Sequence, residues 1–395
     1  MGRMMDQPRL ADRIAGLLLG IAAGDAAGWP SARHRAARLP RWTRRLAREL
    51  DTFAEQQQTT TLPVPVALNQ PPQALRMGPS DDAEWAAFTA CAILAAAADA
   101  QTGEDLDRRV RTSLDQAWVA LAEQVTAARQ EALDVEDAEL PIRARISVRA
   151  GLGNLAAGLR PPATGHDNPH FFDDAACVRA AVLATVHPGD PAAAADLAEH
   201  DARYTQDDDG VYGARAMAAA VAAALGGTPA PGVVSLALEQ LPDGSEVRRN
   251  TEHALELARG LEGAGGDAFA LIPLLEHQIV DHIYSYGIAA AETVPVALTL
   301  CLASEGRIAE AVPMAACLSR VADSAPALVG ALTGALGGAV ALPLSWRDAC
   351  GELAGCVLPD TAGLQLAVLA DELAYAVALS EGGVSRKERI RHADS

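Results

Sequence analysis

Aromatic side chains are scarce in this chain. Phe, Trp and Tyr together supply 4% of its 395 residues, although 50% of them are hydrophobic. A core of that composition is built mainly from alanine, leucine and valine, small side chains that let helix axes come close together. The expectation is a mostly helical protein, long enough to bury a sizeable interior.

Other absences narrow the function. No apolar run reaches the roughly 18 residues that a bilayer-spanning helix needs, so no membrane role is expected. The six cysteines, at positions 91, 177, 301, 317, 350 and 356, contain no Cys-x-x-Cys pair. In a chain of this size they read as reduced, mostly buried thiols of a cytoplasmic protein. The segment RIAGLLLGIAAGDAAG (13–28) has the outline of a secretory signal, but helical cores satisfy that loose signature often, and a core helix is the reading adopted. No Gly-x-Gly-x-x-Gly follows a strand, and neither a Walker-type phosphate loop nor a Gly-x-Ser-x-Gly elbow is present. The formal charge of −19 and a pI near 4.8 oppose phosphate backbones, so nucleic acid is not an expected partner. Positive charge gathers only in the stretch 33–48 and in the basic tail 385–395.

Glycines 16, 20, 24 and 28 recur every fourth residue and fall on one helical stripe where another backbone can approach. Residues 29–79 then form a long irregular connection, basic at first and rich in proline and threonine later, the kind of segment that serves as a lid or stays disordered. From Ser80 onward apolar residues return at three- and four-residue spacing, closed at intervals by Gly or Pro. No strand hairpin and no repeat of fixed period is visible. A single all-α domain spanning 1–395 accounts for the pattern.

Between a Gly-Pro turn and an alanine-rich run stands Ser80-Asp81-Asp82. Two readings are open. Serine is a favoured helix N-cap, and acids in a first turn complement the helix dipole. Alternatively, two neighbouring carboxylates are part of a divalent-cation shell whose other oxygen donors come from elsewhere. The second reading has a partner in Asp323-Ser324, an acid and a hydroxyl at another helix start followed by the small residues Gly330 and Gly334. Asp207, Asp208 and Asp209 read as a helix-start cluster or a solvated turn, since three consecutive acids do not converge on one point.

Five blocks in order resemble the ADP-ribosylglycohydrolase family. They are GLLLGIAAGDAAG, SDDA at 80–83, FFDDAACVRAAVLA, AAAETVPVALTL and ADSAPALVGALTGALGGA. The resemblance implies a compact all-α fold and hydrolysis of the glycosidic bond of an ADP-ribosyl group with Mg2+ or Mn2+. It implies that Ser80, Asp81, Asp82 and Asp323 bind one ion and that Asp323 and Ser324 contribute to a second. Asp81, Asp82 and Asp323 are then the catalytic residues, and Phe172, Asp173, Asp174, Arg179 and Gln206 the substrate contacts. Phe171 and Phe172 beside two acids suit an adenine or ribose ring, and equally a loop packing on the core.

The chain departs from the family pattern at three places. Val321 stands where the first acid of an Asp-x-Asp pair is usual, Ala32 where a glutamate is usual, and Gln206 where a histidine is usual. One ion is therefore expected and the second lacks ligands. Glu84, His34 and Asp173-Asp174 are candidate replacements. The resulting expectation is a metal-dependent hydrolase of an ADP-ribosyl or related ribosyl compound, free or protein-attached. Its alternative is a catalytically silent protein that binds ADP-ribose or a nucleotide-like ligand.

Overall fold

The computed structural model describes residues 9–28, 78–99, 105–131, 142–263, 265–281 and 287–393. Residues 29–77, with Ala32, His34 and the basic stretch 33–48, lie outside them. The described residues form α-helices and short 3-10 turns with no strand, only two isolated bridges, Asp173 to Ala289 and Glu352 to Gln365. None of these helices is long and apolar enough to cross a membrane.

The arrangement starts from the glycine stripe. Helix α1 (Leu10–Ala27) carries it, and the helix that receives it is Ala325–Gly337. A Cβ placed on Gly16 would stand 2.2 Å from the carbonyl oxygen of Gly334, on Gly20 2.1 Å from that of Gly330, and on Gly24 2.0 Å from that of Pro326. The fit is reciprocal, because a Cβ on Gly330 would stand 2.0 Å from the carbonyl oxygen of Gly20. As the number rises along one helix it falls along the other, so the two run antiparallel with backbone against backbone. The C-terminal end of α1, bearing Asp25, therefore meets the start of its partner, bearing Ser324. At the opposite end Arg13 is buried and its Nη1 donates to the carbonyls of Ala224 (2.7 Å), Ala335 (3.1 Å) and Leu336 (3.0 Å), satisfying orphan acceptors at two helix C-termini.

In chain order the other helices are α2 (Asp81–Ala98), α3 (Leu106–Glu131), α4 (Ile146–Ala156), α5 (Ala163–His166), α6 (Ala175–Leu183), α7 (Pro191–Ala202), α8 (Asp208–Leu225), α9 (Ala230–Leu238), α10 (Glu246–Gly263), α11 (Ile272–Gln278), α12 (Ala290–Ala303), α13 (Ile308–Ala316), α14 (Ala325–Gly337), α15 (Leu344–Cys350) and α16 (Leu366–Ala393). Helix α8 is central, packing on α6, α7, α9, α12 and α14. Almost every residue from Ala214 to Leu225 is buried, which the run of alanines permits without crowding. Asp208 and Asp209 occupy its first turn, and Asp209 accepts from the amide of Val247 (3.2 Å). Of the free cysteines, Cys177, Cys301, Cys350 and Cys356 are buried and Cys91 and Cys317 exposed.

Trp85, Phe88, Trp118 and Tyr204 meet where α2, α3 and the end of α7 come together. Trp118 stacks on Trp85 (5.9 Å) and on Tyr204 (5.5 Å), with Phe88 edge-on at 5.5 Å. Its indole N–H, fully buried, donates to Asp201 Oδ1 at 2.8 Å, so burial leaves no orphan donor.

The α1–α14 contact yields a direct test. Gly20→Ala places a methyl group against a carbonyl that cannot rotate away, and is expected to cost about 1–3 kcal/mol by forcing the helices apart. Gly153→Ala in α4, where an added Cβ meets nothing within 4 Å, is expected to be neutral or stabilising by up to about 1 kcal/mol. Urea denaturation of both variants checks the contrast.

Candidate functional site

Three chain segments bring acids to one place. The first is the start of α2. Ser80 occupies the N-cap position there but makes no side-chain cap; the capping acceptor comes from α1 instead. Asp25 Oδ2 accepts from the amides of Ser80 (2.7 Å) and Ala83 (3.0 Å), and Oδ1 accepts from the Ser80 hydroxyl (2.7 Å). The N-cap expectation for Ser80 is thus corrected. A carboxylate delivered by the glycine stripe reaches the exposed amides first and occupies the serine hydroxyl as well. Burial, together with the nearby Asp81, pushes Asp25 up to about 7 against the pull of these hydrogen bonds.

The second segment is Asp323-Ser324 at the start of α14. The third is Phe171 to Asp174 before α6, tied to the start of α12 by the amide of Asp174 donating to Ile288 (2.9 Å) and that of Ala290 donating to Phe172 (3.0 Å). All three segments converge on Arg145, whose side chain is 11% exposed. Its Nη1 donates to Asp174 Oδ1 and its Nη2 to Ser324 Oγ. The same Nη2 lies 3.3 Å from Asp323 Oδ2 and 3.6 Å from Asp82 Oδ1. Asp82 and Asp323 thus bracket a single nitrogen.

The electrostatics follow from burial. Asp82 is pushed well above the usual carboxylate range by desolvation and by Asp81, with Arg145 opposing. Asp174 rises to about 7 by desolvation, again opposed by Arg145. Burial alone would lower Arg145, but Asp174, Asp323, Asp82 and Asp81 outweigh it and hold the guanidinium charged. Asp323, at 24% side-chain exposure, is the acid of this group most open to solvent.

The other sequence candidates fall into place around this cluster. Asp173 is buried, and its Oδ1 accepts from Gln206 Nε2 (2.7 Å) and from the amide of Ala175 (3.1 Å). Arg179 is fully buried over the Trp118 ring (4.9 Å), donating to Asp201 (2.7 Å), Thr205 (3.0 Å) and the carbonyl of Ala175 (2.9 Å). Its three donor nitrogens are spent inside the protein. Phe172 is half-buried, stacked on His170 and edge-on to Phe171. Glu84 does not turn toward the acids; its carboxylate accepts from the amides of Cys356, Val357 and Leu358, each at 2.7 Å. Val321 is buried in the core.

These placements bear on the divalent ions that the resemblance implies, and the donor set does not fit them. Val321 has no donor, the oxygen of Ser324 already accepts from Arg145, and the Arg145 guanidinium stands among Asp82, Asp174 and Asp323. The Ser80 hydroxyl donates to Asp25 and keeps its lone pairs, and Asp82 Oδ2 and Asp174 Oδ2 are buried without a hydrogen-bond partner. Among the described residues no group of three or more His, Cys, Asp or Glu side chains is arranged to hold a metal ion. Sequence reasoning missed two residues of this site. Asp25 lay in the quoted glycine-rich block, where the need of a helix start for an acceptor could have found it. Arg145 lies among three arginines in IRARISVR, and nothing local distinguishes it.

Asp25 also generates a pH prediction. Its folded pKa of about 7 lies above the ordinary 3.8, so the folded state binds the extra proton between these values and this group's contribution to stability falls as pH rises through that window. Asp25→Asn removes the titration, so its stability is expected to decline less than that of the wild type from pH 5 to pH 7.5. Urea midpoints at four pH values check the slopes. Asp25→Ala, which strands two buried amides, is expected to cost about 1–3 kcal/mol throughout.

Comparison with known proteins follows the geometry. Residues 6–382 match the family model described as ADP-ribosylglycohydrolase. No curated protein matches the chain. Among solved structures, one described as an ADP-ribosylglycohydrolase-related protein complex has a TM-score of 0.50 and 19% identity, over 93% of this chain and 99% of that one. At such identity the likeness is one of fold. With an all-α architecture, acids gathered at its helix starts and a family match over nearly its whole length, the chain belongs to the ADP-ribosylglycohydrolase family.

Proposed function

We propose that the chain hydrolyses the glycosidic bond of an ADP-ribosyl or related ribosyl compound at the cluster of Asp81, Asp82, Asp174 and Asp323. The observation that carries this reading is the convergence of acids from three distant segments, with the solvent-accessible Asp323 at its edge. Breaking a bond at the ribosyl C1 develops positive charge on the sugar, and closely spaced carboxylates stabilise it. Asp323 is the group placed to take a proton from the attacking water. The water oxygen bonds to C1 as the bond from C1 to the leaving group breaks, and the leaving atom keeps that electron pair and takes a proton from solvent. Phe172 offers the apolar surface for an adenine or ribose ring, while Asp173, Gln206 and Arg179 hold its segment in place.

A second reading, ligand binding without hydrolysis, has its own support. Val321 supplies no ligand, and Arg145 engages the very carboxylates that chemistry would use.

The two readings separate in one assay. The protein is incubated with ADP-ribosylated peptides and with free ADP-ribosyl compounds, with Mg2+, with Mn2+ or with chelator, and released ADP-ribose is measured. Wild-type release is expected, reduced about 100-fold or more in Asp323→Asn. No release from any substrate, with calorimetric binding of ADP-ribose intact, selects the binding protein. Neither release nor binding overturns both.

A further inference from the structure

We propose that the guanidinium of Arg145 is the resident cation of the carboxylate cluster, standing where the family resemblance calls for a divalent ion, so that the folded chain holds its acids together without one. The inference concerns how the cluster is neutralised and is independent of the reaction it serves.

The contacts are those of a cation site. One side chain touches acids from the starts of α2, α6 and α14, together with the hydroxyl of Ser324. A guanidinium suits this task because it stays charged and presents planar, forked donors to several carboxylate oxygens at once. An ion entering the same space would be repelled by it, and the hydroxyl oxygen of Ser324 already accepts from it.

Arg145 is also delivered by a dedicated path. Glu84, in the first turn of α2, receives the amides of Cys356, Val357 and Leu358. The carbonyl of Val357 in turn accepts from the amide of Arg143 (2.9 Å). Two residues later Arg145 stands extended at the N-cap of α4. The start of that helix is pinned from its other side by Asn168 Nδ2, which donates to the carbonyl of Ser147 (2.8 Å). The helix that carries Asp81 and Asp82 thus anchors, through Glu84, the strand of chain that brings their counter-charge. Val321, where the family pattern has an acid, is wholly buried among apolar residues, consistent with a cluster that no longer coordinates a second ion.

The test uses the metal itself as probe. Metal-stripped wild type, Arg145→Ala and Arg145→Lys are titrated with Mn2+, reading free ion by electron paramagnetic resonance, and unfolded thermally with and without it. The wild type is expected to bind no Mn2+ with a Kd below about 0.1 mM and to unfold at one temperature in both conditions. Arg145→Ala is expected to unfold about 5 °C or more lower, because it strands buried acids, and Arg145→Lys, which keeps the charge but loses the fork, to fall between. Stoichiometric Mn2+ binding by the wild type below that Kd overturns the proposal, as does an Arg145→Ala protein as stable as the wild type. If Arg145→Ala does not fold, the wild-type titration and Arg145→Lys decide. Since neither readout is hydrolysis, failure of the assay above leaves this result standing.

Discussion

The contact between α1 and α14 is the constraint on which the site depends. Two helices touch through their backbones most closely where neither carries a Cβ at the crossing; Gly16 and Gly20 against Gly334 and Gly330 meet that condition on both sides, and Gly24 and Gly28 continue it from one side against the carbonyls of Pro326 and Ala322. Because the pairing leaves no room for slippage, it sets the axial register of the two helices. That register brings Asp25 beside Ser80 and places the start of α14 next to the start of α2. The acids of the site are therefore positioned by residues with no functional groups.

Around that contact the protein collects negative charge at low solvent exposure, an arrangement that is costly unless each carboxylate finds a donor or a cation. Several buried acids have a solution of their own, although one oxygen each of Asp82, Asp173 and Asp174 is buried without a hydrogen-bond partner. Asp25 takes the exposed amides of α2, Glu84 takes three amides of the 356–358 loop, Asp173 takes Gln206 and the amide of Ala175, and Asp201 takes Trp118 and Arg179. The remaining acids, Asp82, Asp174 and Asp323, share Arg145. The first set is scaffolding. In the last set only Asp323 is open to solvent, and the set coincides with the blocks by which the chain resembles its family.

Charge compensation by a guanidinium has consequences for chemistry. An ion accepts lone pairs from water and substrate alike, whereas a guanidinium donates hydrogen bonds and leaves water unactivated. Of the carboxylates around it, Asp323 is the exposed one. Val321 and Arg145 point the same way: a ligand position filled with a hydrocarbon side chain, and a guanidinium supplied among the carboxylates.

The all-α class followed from alanine-rich periodicity without strand signals, and the glycine stripe from Gly16 to Gly28 announced a close packing face, though not which helix would meet it. Ser80-Asp81-Asp82 and Asp323-Ser324 stood out because unusual residues at helix starts are local features that a linear reading detects. What a linear reading could not detect is pairing at a distance. Arg179 looked available to a substrate until the fold set it over Trp118 and against Asp201, and Glu84 looked like a spare ligand until three amides of a remote loop closed on it. Arg145 carried no local mark at all. Composition and periodicity determine which elements form, since they reflect the energetics of neighbouring residues. Which charge meets which is decided only when those elements pack, because a side chain's partner depends on the register and direction of helices far apart in the chain.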